Sequence, residues 1–68
     1  MVSEIGKIIE FVSTSKTSFD DAVRNAVNEI SKKEKNIRGV DILKMTAKIN
    51  KHGKIEEYRV NVKISAEL

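Results

Sequence analysis

The residues of this chain able to do chemistry are few, and their spacing limits what each can do. There is no cysteine and one histidine, His52. A histidine acting as general base needs a nucleophile or a carboxylate held beside it. His52 sits in N-K-H-G-K, a run of turn formers, and is read as a solvated loop residue. Glu56 and Glu57 are neighbours, but adjacent residues of an extended segment point to opposite faces, so they make no catalytic dyad. Asp20 and Asp21 have the carboxylates calcium prefers, yet nothing around them has the D-x-D-x-D-G spacing of a calcium loop. They open a helix instead, where negative charge complements the dipole. Lys32, Lys33 and Lys35 form a basic cluster with no interleaved aromatics, which suits a helix end better than a nucleic-acid surface. Gly6, Gly39 and Gly53 are too scattered to make a phosphate loop. Arg59 differs from all of these. It lies mid-strand on the polar face, where a guanidinium either pairs with neighbouring Glu57 or Glu67 side chains across an interface or binds an anion such as phosphate. No set of residues reads as catalytic, and a non-enzymatic protein is expected.

The element that positions Arg59 is the last stretch, Ile55 to Leu68. Tyr58, Val60, Val62, Ile64, Ala66 and Leu68 fall on one parity; Glu57, Arg59, Asn61, Lys63, Ser65 and Glu67 fall on the other. A period of two over this length predicts one long strand with an apolar and a polar face. Upstream, Gly6 to Val12 is rich in β-branched residues and predicts a strand whose two faces are both partly covered. The polar run Ser13 to Ser18 predicts a connection. Phe19, Ala22, Val23, Ala26, Val27 and Ile30 recur at helical spacing, with Ser18 as N-cap. Asn36 and Gly39 tolerate positive φ, so the helix is expected to stop near Lys35. Val40 to Asn50 predicts a strand whose alternation changes phase, which places a β-bulge near Ile42 to Lys44. Gly53 then supplies a left-handed residue in a hairpin loop.

These elements predict an α+β fold: β-α-β-β, with a three-stranded antiparallel sheet packed on one helix. The expected spatial order is first, third, second strand, with the helix as a right-handed crossover lying on Tyr58, Val60, Val62 and Ile64. Residues 1–68 are expected to form a single domain. A chain of 68 residues buries a modest core, and without cysteine it has no disulfide to support it, so self-assembly is expected. The net charge of +3 comes from 13 basic and 10 acidic residues. They are interspersed, as on a solvated surface, and predict no nucleic-acid stripe. No apolar run is long enough to span a bilayer, and Met1 to Val12 lacks the features of a signal peptide, so a cytoplasmic location without membrane contact is expected.

The run V-S-T-S-x-T-S-F-D-D-A at Val12 to Ala22, the helix, the phase-shifting strand and G-K-I-E-E-Y-R-V-N-V-K-I-S near the end resemble the dodecin family over nearly the whole chain. The resemblance implies twelve copies in a hollow shell of cubic symmetry, helices outside and sheets within, with the polar parity of the last strand lining the interior. Many dodecins bind flavin, riboflavin or FMN, near the threefold axes. There a tryptophan early in the second strand stacks on the ring, and a glutamine after the tyrosine of the third strand bonds to the ring edge. On this pattern the cofactor-binding positions are Gly39 and Arg59, and both are substituted. A branch of the family with such substitutions is regarded as flavin-independent and has been associated with calcium; this chain resembles that branch. Any calcium site would draw carboxylates from several subunits, and no metal ligand is assigned. The expected function is small-ligand binding or storage within a homo-oligomeric shell. The alternative is a purely structural or interaction module without a ligand.

Overall fold

The computed structural model describes residues 6–67, so Leu68 lies outside the described residues. The order is β1 (Gly6–Ser15), α1 (Phe19–Ser31), β2 (Ile37–Ile49) and β3 (Ile55–Glu67). The sheet order is β1-β3-β2, and both pairings are antiparallel. β3 is therefore the central strand, as its alternation implies. Its apolar parity carries the core: Val60, Val62 and Ile64 are fully buried and Ala66 nearly so. Against them α1 presents Ala22, Ala26 and Ile30, all buried. Two alanines on the contact stripe let the helix backbone approach the β-branched residues of the sheet closely, which is how a small core reaches interior packing density. At the N-terminal end of α1, Phe19 meets Tyr58 edge-on, with ring centroids 4.9 Å apart.

The strands and the helix differ from the expected limits at several points. β1 continues past Val12 through Ser13, Thr14 and Ser15, because these pair with Val60, Arg59 and Tyr58 and the ladder outweighs their turn preference. Ser15 then makes the turn. Its hydroxyl donates to Asp21 Oδ2 at 2.7 Å and accepts from the N–H of Thr17 at 2.9 Å. Ser18 is the N-cap, accepting from the N–H of Asp21 at 2.9 Å. The helix ends at Ser31, short of Lys35. Ile30 is its last buried residue, and its carbonyl accepts from both Lys33 and Glu34 as the chain tightens. Asn36, at φ 60°, then turns the chain into β2. Gly39 has no part in that stop; it lies within β2 opposite Ser65, beside a register shift and without positive φ. β2 starts three residues before Val40, at Ile37, and ends at Ile49.

The bulge expected near Ile42 to Lys44 is present: Ile42 pairs with Val62 and Lys44 with Asn61, leaving Leu43 as the extra residue. Further register shifts occur between Ile37 and Gly39 and between Lys48 and Ile49. The loop after β2 turns through Gly53 at φ 77°, as expected. Of the two faces of β1, only one is covered. Ile9 and Phe11 pack on the core, whereas Ile8 and Val12 are more than half exposed.

The helix does not cover the whole apolar face. Thirteen residues make about 20 Å of helix but about 43 Å of strand. α1 lies over β1 and β3 and touches β2 sparingly. Ile42, Met45 and Ile49 of β2 are left about half exposed, and the chain is elongated, 53 × 20 × 14 Å.

The Ser15 network gives a test. Ser15→Ala leaves buried polar groups of the β1–α1 turn without their partner and is expected to cost about 1–3 kcal/mol. Ser18→Ala removes one cap bond and is expected to cost about 1 kcal/mol. Urea denaturation at one protein concentration compares them; equal or reversed losses would show that Ser15 does not organise the turn.

Candidate functional site

The face of the sheet turned away from α1 is polar because β3 alternates, and directly paired residues on neighbouring strands share a face. On β3 it carries Glu57, Arg59, Asn61, Lys63 and Ser65. Their partners form rows across the sheet. Ile8 and Gly39 flank Ser65; Glu10 and Asp41 flank Lys63; Val12 and Lys44 flank Asn61; Thr14 and Thr46 flank Arg59. Lys48 stands opposite Glu57. The bulge at Leu43 decides which β2 residues belong here: it shifts the phase so that Lys44, Thr46 and Lys48 face outward with Arg59.

Around Arg59 the face is concave. A cleft of about 310 Å³ is lined by Thr46, Ala47, Lys48, Glu57 and Arg59. Within it, Arg59 Nη2 lies 3.4 Å from Glu57 Oε1, a long and half-exposed ion pair. Such a pair contributes little to stability and leaves the guanidinium free to exchange partners. Within the chain, Glu67 pairs with Arg38 at 3.3 Å.

Gly39 and Arg59 are not brought together within one chain. Gly39 is opposite Ser65, six residues along β3 from Arg59, which is about 20 Å in an extended strand. A small ring system touching both positions would have to lie between two copies. Gly39 supplies no ring, but its backbone does not require glycine: a Cβ there would meet Ser65 Oγ at 3.6 Å, an ordinary contact.

The remaining candidates have structural work. Asp20 pairs with Arg24 at 3.0 Å and Asp21 accepts from Ser15. Lys32 pairs with Glu29 at 3.3 Å just beyond the helix. His52 sits at the exposed hairpin tip, its backbone N–H donating to Asn50 Oδ1 at 2.9 Å. Among the described residues no three carboxylate, histidine or cysteine side chains converge as a metal site. The sequence reading missed Lys44, Thr46 and Lys48 as companions of Arg59. Their signal was present as K-x-T-x-K, a period of two immediately after the predicted bulge.

A single helix on a β1-β3-β2 sheet with an open polar face defines a small α+β domain of the split β-α-β type. The family model for dodecin matches residues 5–68, and the chain belongs to the dodecin family. Among solved structures, the dodecin of Streptomyces coelicolor is 26% identical, with a TM-score of 0.90 over 100% of this chain and 96% of that one. The dodecin of Streptomyces davaonensis is 24% identical, with a TM-score of 0.88 over 98% and 97%. A calcium dodecin of Mycobacterium tuberculosis, described as calcium chelating, is 26% identical, with a TM-score of 0.81 over 94% and 90%. No curated protein matches the chain.

Because position 39 needs no glycine, Gly39→Ala is expected to raise stability by about 0.5–1 kcal/mol through the lost freedom of the unfolded chain and better strand propensity. Gly53→Ala, at positive φ, is expected to lower it by about 1–2 kcal/mol. Thermal denaturation of the two variants gives opposite signs if position 39 is an unconstrained site position.

Proposed function

We propose that this protein is a non-enzymatic, cytoplasmic dodecin that binds or stores a small ligand within a closed homo-oligomeric shell of twelve copies, residues 1–68 forming one domain. The observation that carries this reading is the uncovered apolar surface. Ile42, Leu43, Met45, Ile49 and Ile55 on the hairpin and Ile8 and Val12 on β1 are about half exposed in the single chain. Burial against other copies supplies the apolar contact that a chain of this size lacks alone. Ligand would be held between copies, since the family positions Gly39 and Arg59 are far apart in one.

The residues at those positions do not fit the flavin mode of the family. Gly39 offers no ring for stacking, the chain has no tryptophan, and Arg59 places a cation where the family pattern has an amide. A second reading draws on the same substitutions: a structural oligomer without flavin, associated with calcium as the Mycobacterium tuberculosis relative is. Calcium takes six to eight oxygen ligands, so carboxylates from several copies would have to meet.

Native mass spectrometry tests the assembly. A species of twelve chains is expected, and a lone chain at micromolar concentration would overturn the shell. Riboflavin titration tests the site: fluorescence of the free flavin is expected to persist with the natural chain and to be quenched by the Gly39→Trp, Arg59→Gln double variant. Strong quenching by the natural chain would show that neither ring nor amide is needed.

A further inference from the structure

We propose that the cleft at Arg59 is an anion site that takes the phosphate group of a phosphorylated small molecule. The inference deepens the ligand-binding reading and rests on the polar face being the ligand-holding surface, but not on the number of copies.

Three cations belong to this part of the face. Lys44, Thr46 and Lys48 follow one another at two-residue spacing along β2, and Arg59 is directly opposite Thr46. Thr14 flanks Arg59 on the other side, from β1. Arg59 therefore stands between two threonines in the sheet, with a lysine of β2 in the row on either side. Arg59, Lys48 and Thr46 all line the 310 Å³ cleft, which is open on the solvent side.

The charge around the cleft is not balanced. Glu57 is its one lining carboxylate, and it holds Arg59 at 3.4 Å, longer than a strong charge-assisted bond. Neither Lys44 nor Lys48 forms an ion pair among the described residues. Two further carboxylates of this face, Glu10 and Asp41, flank Lys63, about 13 Å along the strand from Arg59. The face thus separates into a half in which acids surround a lysine and a half in which bases surround a cleft.

A planar fork with two flexible ammonium groups and adjacent hydroxyls matches a tetrahedral oxyanion, which accepts several charge-assisted bonds at once. It does not match the uncharged edge of an aromatic ring. A nucleic-acid strand would need exposed aromatics to stack upon. Phe11 and Phe19 pack on the core and Tyr58 lies against Phe19, all on the opposite side of the sheet.

Isothermal titration of the purified oligomer with pyrophosphate at low salt tests the site, with inorganic phosphate as a weaker probe. Saturable binding is expected, weakened about tenfold in Arg59→Gln and severalfold in Lys48→Gln, while Lys33→Gln, away from the face, binds as the natural chain does. Circular dichroism checks that each variant folds; if Arg59→Gln does not, the Lys44→Gln, Lys48→Gln pair carries the test with the same expected loss. No binding at millimolar pyrophosphate, or equal affinity in the cleft variants and Lys33→Gln, would overturn the proposal. Sizing of the same samples separates the two readings: a twelve-chain shell that ignores pyrophosphate overturns the anion site alone, and a smaller oligomer that binds it overturns the shell alone.

Discussion

The structure depends on one contact, the packing of the small stripe of α1 on the β-branched stripe of β3. Ala22 and Ala26 bring the helix close enough for Val60, Val62 and Ile64 to be fully excluded from water. Everything else is arranged to allow that approach. β1 flanks β3 and delivers the chain, through the Ser15 turn, to the start of the helix. Asn36 returns it to the far edge of β3. Because the core consists of a few medium-sized side chains, it contributes less than a larger domain would have, and a single methyl group matters correspondingly more.

That contact also explains what is left uncovered. A helix of thirteen residues is half as long as a strand of thirteen, and it lies over β1 and β3. β2 consequently keeps apolar residues at the surface on the helix side, and the opposite face keeps Ile8 and Val12. Apolar area of this kind is commonly an interaction surface, since each exposed residue would gain from burial. Membership of the dodecin family and this geometry favour the same occupant, further copies of the chain.

On the other face, the position of each charge follows from register. The bulge at Leu43 has two effects from one inserted residue: it keeps Met45 and Ala47 on the helix side opposite Val60 and Tyr58, and it turns Lys44, Thr46 and Lys48 toward Arg59. Without it the lysines would face the helix side and the cleft would be apolar. A feature usually treated as a local irregularity in a ladder thus sets the chemistry of the open face.

The alternation of Ile55 to Glu67, the helical spacing from Phe19 to Ile30, the Ser18 cap and the phase change at Leu43 were all legible because each is a short-range pattern that repeats. The limits of elements were less so. Ser13 to Ser15 have the composition of a turn and become strand only because β3 offers partners for them. Lys32 to Lys35 look like a helix end and lie beyond it because nothing apolar follows Ile30 to hold another turn. The sequence by itself determined which residues of α1 and β3 face inward and which outward, and the dodecin pattern that goes with that order. Only the tertiary structure decided that Gly39 and Arg59 lie at opposite ends of the sheet, that Glu57 and not Glu67 is the partner of Arg59, and that two lysines join it. These are distances between strands, and strand register is set by packing across the whole sheet.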